Sequence, residues 1–151
     1  MKSLRVYVTA CIVSMLAVLI VSIPAAFAAE IPSDRDQDVL IRSTLATFND
    51  ANMSNNYAVM WFKVSRQFQL DATPEKFQAA FASFRDEQHF FEEIVTAERV
   101  SSEEAKIDEG GGLVLVGAFK ADELLVKYRL RFVLNNKMWK LAGIKVDTTK
   151  T

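Results

Sequence analysis

Residues 124–134 read LLVKYRLRFVL. Leu124, Val126, Tyr128, Leu130, Phe132 and Leu134 fall on one side of an extended chain, and Lys127, Arg129 and Arg131 fall on the other. A strict period of two marks a β-strand with one buried face and one wet or partner-facing face. The flanking segments extend this into a sheet. Leu113 to Lys120 is apolar on both faces, with Gly117 as a kink, and reads as a central strand. Asp122-Glu123 is a tight turn into the quoted strand, and Asn135-Asn136 suits a type I′ turn out of it. The last strand runs from Met138 to Asp147. Trp139 and Leu141 share one parity there and Ile144 and Val146 the other, so a bulge at Ala142-Gly143 is needed to keep all four useful. Thr148 to Thr151 reads as a polar tail.

Upstream, Ile94 to Val100 and Glu104 to Asp108 both read as extended, with Ser101-Ser102 as a bulge or break. Glu109-Gly110-Gly111-Gly112 is a hairpin loop, since a strand follows it and a phosphate cradle would need a helix N-terminus at that point. Everything before residue 90 looks built to cover the sheet. Ser33 is an N-cap with Asp36 three residues on, and Asp34 to Asn52 carries an apolar stripe of Ile41, Leu45 and Phe48 at helical spacing. Asn49 to Asn56 is dense in turn formers. A short helix is expected over Asn56 to Val64. Ser65 to Ala72 is a connector in which Phe68 and Leu70 turn inward. Thr73-Pro74-Glu75 then starts a third helix reaching Glu87, with Phe77, Phe81 and Phe84 on one face.

The chain begins with a segment of a different kind. Lys2 and Arg5 precede an apolar run from Val6 to Ile23, Pro24 breaks it, and Ala26-Phe27-Ala28 places small residues where a signal peptidase reads. Residues 1–28 are therefore read as a secretory signal cleaved after Ala28, with Ala29 the next choice. An uncleaved anchor is the alternative, because the run is close to the roughly 20 residues that span a bilayer. Val8-Thr9-Ala10-Cys11 makes a poor lipobox. The expected compartment is the periplasm or the exterior, with membrane contact only through the leader. The single domain spans residues 29–147.

Of the 18 basic residues, Lys2 and Arg5 lie in the leader, which leaves 16 against 19 acidic ones and a balance of −3. That gives no reason to expect a nucleic-acid partner. The only cysteine, Cys11, is in the leader, so the domain has no disulfide. His89 is the only histidine, which rules out a multi-histidine metal site within one chain. No metal and no cofactor are expected.

Three helices followed by a strongly bent, four-stranded, hairpin-linked antiparallel sheet make an α+β fold. This pattern resembles the nuclear-transport-factor-2-like superfamily, the SnoaL-like or cystatin-like cones. The stretch from Phe48-Asn49-Asp50-Ala51 to Asn56-Tyr57, then Thr73-Pro74-Glu75 and a Phe-rich helix, is similar to small exported bacterial members without assigned activity. The resemblance covers about Ser33 to Asp147. It implies a cavity between helices and sheet, used by some members for catalysis and by others for binding. It also implies homodimers that pack sheet on sheet.

Proton-transfer chemistry in such a cone needs an inward acid or base. The inward strand faces offer Tyr128 and no carboxylate. His89, paired with Asp50 or Asp86, is the only weak catalytic candidate; a surface or hydrogen-bonding role is the plainer reading. Tyr57, Trp61, Phe81, Phe84 and Tyr128 are the candidate ligand-binding residues, against ordinary core packing. Lys127, Arg129 and Arg131 are the candidate dimer face, meeting acids such as Glu98, Glu103 or Glu104 of a second copy, against a merely solvated exterior. Three functional readings follow. The first is a non-catalytic exported module binding a small apolar or amphipathic ligand. The second is a self-associating domain with a filled core. The third, ranked last, is an isomerase- or dehydratase-like enzyme using His89, Asp50 or Tyr128.

Overall fold

The structure, a computed structural model, describes residues 30–151. The expected leader and its cleavage site lie outside the described residues. The chain is α+β, with five helices and a five-stranded antiparallel sheet among those residues. No helix among them is long and apolar enough to cross a membrane.

Helix α1 (Asp34–Ser54) begins as its sequence dictates: the Ser33 hydroxyl accepts the Asp36 amide at 3.2 Å. Asp34 and Asp36 sit in its first turn, where carboxylates suit the helix dipole. It ends at Asn55, which takes the left-handed conformation (φ 52°) that asparagine tolerates. Its buried stripe is Ile41, Leu45, Phe48 and Asn52. Helix α2 (Ala58–Lys63) starts two residues later than the spacing predicts, with the Asn56 side chain accepting the Ala58 amide.

The expected connector after α2 is instead a helix, α3 (Arg66–Asp71), capped by the Ser65 hydroxyl on the Phe68 amide. This corrects the placement of Leu70. On a helix, residues two apart point away from each other, so Phe68 packs inward while Leu70 is 71% exposed. The third expected helix is broken. Phe81 (φ −111°) separates α4 (Pro74–Ala80) from α5 (Ala82–Asp86). The break sets Phe81 and Phe84 edge-on against the fully buried Phe48 ring, at centroid distances of 4.8 and 5.1 Å. Phe91 stacks on the same ring at 6.1 Å. Edge-on aromatic pairs add to what area burial alone gives.

Strands β1 (Glu98–Ser102), β3 (Leu113–Ala121), β4 (Leu124–Asn135) and β5 (Met138–Lys150) lie in the order β1-β3-β4-β5. The two-residue β2 (Lys106–Ile107) pairs with the same edge of β3 as β1 does. Ile94 does not open β1; a 3₁₀ turn occupies Glu92–Val95. The irregularity in β1 falls at Val100, between the pairs Arg99–Phe119 and Ser101–Ala118. Glu103-Glu104-Ala105 then leaves the strand path before β2.

The bulge in β5 is where the parity demanded it. Arg131 pairs with Gly143 and Phe132 with Leu141, leaving Ala142 as the extra residue, so Leu141 and Val146 are both buried. The turn before it is one residue later than expected: Asn135 pairs with Met138, and Asn136 and Lys137 take the two positive φ values of a type I′ turn. Residues 148–150 are not a tail. They complete the ladder, with Thr148 opposite Val126 and Lys150 opposite Leu124. On β4 the inward face is as read up to Phe132, but Leu134 lies beyond the helical cover and is 48% exposed.

The glycine loop is fastened by one carboxylate. Arg131 donates to both oxygens of Asp108, at 2.6 and 3.0 Å, and Asp108 also accepts the amides of Gly110 and Gly112. A Cβ at Gly112 would stand 2.5 Å from the Arg131 guanidinium, which is why no side chain fits there. Arg131, then the Gly112 amide, hold the Asp108 carboxyl well below the usual carboxylate range.

Replacing Phe48 by alanine should cost about 3–5 kcal/mol of stability, since it removes a fully buried ring with three aromatic neighbours; urea denaturation measures this. Asp108→Asn should lower the thermal midpoint at neutral pH. Because the folded Asp108 pKa lies below the unfolded one, the stabilisation is present above the unfolded value and is lost as pH falls toward the folded one. The gap between variant and wild type should therefore narrow below about pH 4, as a melting series across pH would show.

Candidate functional site

Tyr128 faces inward from the middle of β4, directly opposite Gly117 of β3. A Cβ at Gly117 would lie 2.6 Å from the Tyr128 hydroxyl and 2.5 Å from the Ser101 carbonyl, so only glycine lets the phenol lie across β3. The ring stacks on Phe119 at 5.6 Å. Tyr128 is 3% exposed, and its hydroxyl has no hydrogen-bond partner among the described residues. A buried hydroxyl without a partner is costly and uncommon in a folded protein.

That residue lies on the floor of a cavity of about 470 Å³. Ile41 of α1 and Leu115 of β3 share the buried floor with Tyr128. The exposed rim comes from the lead-in to α1 (Ile31 and Asp34) and from Ser102, Glu103 and Glu104, where the chain leaves β1. Beside it, Asp38 is ion-paired to Arg42 at 2.7 Å and also to Arg99. Arg42 further donates to the carbonyls of Ile94 and Ala97, at 2.7 and 3.1 Å. Both guanidinium groups lie over the Phe119 ring, at 4.6 and 5.5 Å from its centre.

Burial pushes the Tyr128 phenol up from its ordinary pKa, and Asp38 adds to this against the opposing charges of Arg99 and Arg42. At neutral pH the group is a neutral phenol that can donate one hydrogen bond and accept another. Asp38, the nearest acid in that network, is already held by two arginines.

The other expected site residues go elsewhere. Tyr57 packs against both Phe77 and Phe81, which also meet each other, donates to Asn52 and accepts from Arg85. Phe81 and Phe84 are taken up by Phe48. Trp61 donates to the Ala72 carbonyl at 2.9 Å and borders a separate depression with Phe62 and Leu70. Of the five candidate ligand-binding residues, only Tyr128 lines the cavity.

His89 is not brought to Asp50 or Asp86. Its Nδ1 lies 2.8 Å from the Thr148 hydroxyl and 3.4 Å from Glu87, while Asp50 is exposed on the far part of α1. A wider depression of about 700 Å³ adjoins His89, but its lining of Glu87, Gln88, Asp122, Glu123 and Lys150 is exposed and holds no buried unpartnered polar atom. Among the described residues, no group of three or more His, Cys, Asp or Glu could hold a metal ion.

On the outer sheet face Lys127 and Arg129 are exposed, whereas Arg131 is engaged by Asp108 of its own chain.

Sequence reasoning missed Ile41, Arg99, Glu103 and Glu104 as cavity residues. Ile41 reads as plain core. Arg99 lies on β1, and Glu103 and Glu104 follow it in a segment whose departure from the strand, not its composition, makes it a rim. The chain matches no known protein family, no curated protein and no solved structure in comparisons with each.

Tyr128→Phe should raise the stability of the ligand-free protein by about 1 kcal/mol, because it removes an unpaired buried hydroxyl and keeps the ring. Equilibrium denaturation reads the sign; a clear loss of stability would mean the hydroxyl is satisfied in solution.

Proposed function

We propose that this chain is an exported, non-catalytic module that binds a small amphipathic ligand in a cone of the nuclear-transport-factor-2-like kind, with Tyr128 at its floor. The observation that carries this reading is a cleft of about 470 Å³ at the edge of the sheet, with Tyr128, whose buried hydroxyl has no partner among the described residues, among the residues that line it. Small-molecule sites fall in the range of roughly 300–1,000 Å³, with apolar walls and a few convergent polar groups. Ile31, Pro32 and Ala105 supply apolar wall and Gln37 and Ser102 polar groups, over the buried Ile41, Leu115 and Tyr128. The α+β order, the bulge that bends β5 and the leader read from residues 1–28 support the cone and the export parts of the proposal.

Native mass spectrometry of the purified protein tests the reading. A bound small-molecule mass is expected, and it should be lost in Ala105→Trp, which fills the cavity from a half-buried wall position. A protein that carries no adduct, and gains none on screening against small amphiphiles, would sink it.

A further inference from the structure

The depression beside Trp61 is a different kind of surface from the cleft near Tyr128. It has a volume of about 430 Å³, and side chains from α2, α3 and the β4–β5 hairpin line it, among them Phe62, Arg66, Leu70 and Lys140. Phe62 and Leu70 are each 71% exposed. They share a cause. Phe62 follows the buried Met60 by two positions and Leu70 follows the inward Phe68 by two, so each short helix turns one apolar side chain to the core and another to solvent. Asn135, also in the lining, follows Leu134 and pairs with Met138, and those two are 48% and 57% exposed. Large apolar side chains from separate elements therefore stand in solvent at one end of the molecule. Exposed apolar surface gathered in this way marks a contact with another body.

The charge around these side chains is one-sided. Residues 58–70 and 132–145 contain Lys63, Arg66, Lys137, Lys140 and Lys145 and no acid. The rest of residues 30–151 has 11 basic residues against 19 acidic ones. A domain that is acidic as a whole thus gathers a balance of +5 where its apolar side chains are exposed. Arg66 and Lys140 line the depression, and Lys137 sits in the turn between Asn135 and Met138. None of the three has an ion-pair partner among the described residues. The only acid of α3, Asp71, is its last residue and accepts from Gln67. We propose that this end of the molecule docks on an anionic lipid surface, with Phe62, Leu70 and Met138 entering the headgroup layer and Arg66, Lys137 and Lys140 meeting the phosphates. Such a surface offers hydrocarbon and negative charge together, over an area wide enough for side chains from three separate elements. Trp61, beside Phe62 at 5.3 Å, is of the residue type that settles at the boundary between headgroups and hydrocarbon. This contact is separate from any that the expected leader makes and from ligand binding in the cleft near Tyr128.

Co-sedimentation of the purified protein with vesicles tests this. At low salt it should bind phosphatidylglycerol vesicles about tenfold or more tighter than phosphatidylcholine vesicles, and the difference should shrink as salt is added. The paired substitution Arg66→Gln with Lys140→Gln should weaken binding to the anionic vesicles about thirtyfold, the factor that two basic side chains contribute at a charged bilayer surface. Phe62→Ser with Leu70→Ser should weaken it about tenfold or more, while the thermal midpoint hardly moves, because both side chains are mostly in solvent. The same loss of charge at Arg35 and Lys120, which are exposed outside the patch, should cost little. Equal binding to the two lipids, binding that survives both paired substitutions, or an equal loss in the Arg35 and Lys120 control would overturn the proposal. A wild-type protein that ignores vesicles but forms a dimer, lost on substituting Phe62 and Leu70, would overturn it in favour of a second copy.

Discussion

The inward face of β4 has to be kept dry, and the rest of the fold is arranged around that requirement. Val126, Tyr128, Leu130 and Phe132 are each at most 3% exposed. A strand cannot bury one face alone; it needs a second layer. Helix α1 supplies that layer with Ile41, Leu45 and Phe48, and the broken α4–α5 pair backs it with Phe77, Phe81 and Phe84. The Ala142 bulge lets β5 present both Leu141 and Val146 to the same side, so the sheet keeps its apolar face while it bends. Asp38, Arg42 and Arg99 tie α1 across to β1 and close the other flank over Phe119.

The cover over that face is not complete. Between β1 and β2 the chain runs out of the regular ladder after the Glu103 amide bonds the Val116 carbonyl of β3 at 2.9 Å, and a cleft lined in part by Tyr128 remains there. Gly117 makes room for the phenol from below. The result is a polar atom held in an apolar floor without a partner, next to a ring of carboxylates. A domain optimised only for stability would place phenylalanine at this position, since the ring packs equally well without the hydroxyl. The departure from that rule is what separates this cavity from the more open depressions beside Trp61 and His89.

Much of the fold was legible. The alternation in residues 124–134 and the turn residues on either side identify the hairpins, the Ser33 and Thr73-Pro74 caps place two helix starts, and the parity shift in the last strand locates its bulge. The errors have local causes. Ser65 caps a helix in a segment too short to show a period. Phe81 breaks a helix that its spacing would continue, because edge-on contact with Phe48 competes with one more helical turn. The strand at residues 148–150 carries polar side chains, and its pairing with Leu124 to Val126 depends on a partner far away in sequence. The site was less legible than the fold: Tyr128 was found, but the aromatic residues grouped with it belong to the core.

Sequence by itself determined the periods, the caps, the turns and the parity shift, because each depends on residues within a few positions of one another. It also placed Tyr128 inward, since alternation along one strand decides the face. The tertiary structure alone decided that Tyr57, Phe81 and Phe84 fill the helical side while Tyr128 lies buried beside a cleft. Whether a buried residue meets a neighbour or a void depends on where separate elements stop. The cavity exists because β1 ends at Ser102, β2 begins at Lys106 and α1 starts at Asp34, three boundaries brought together only by folding.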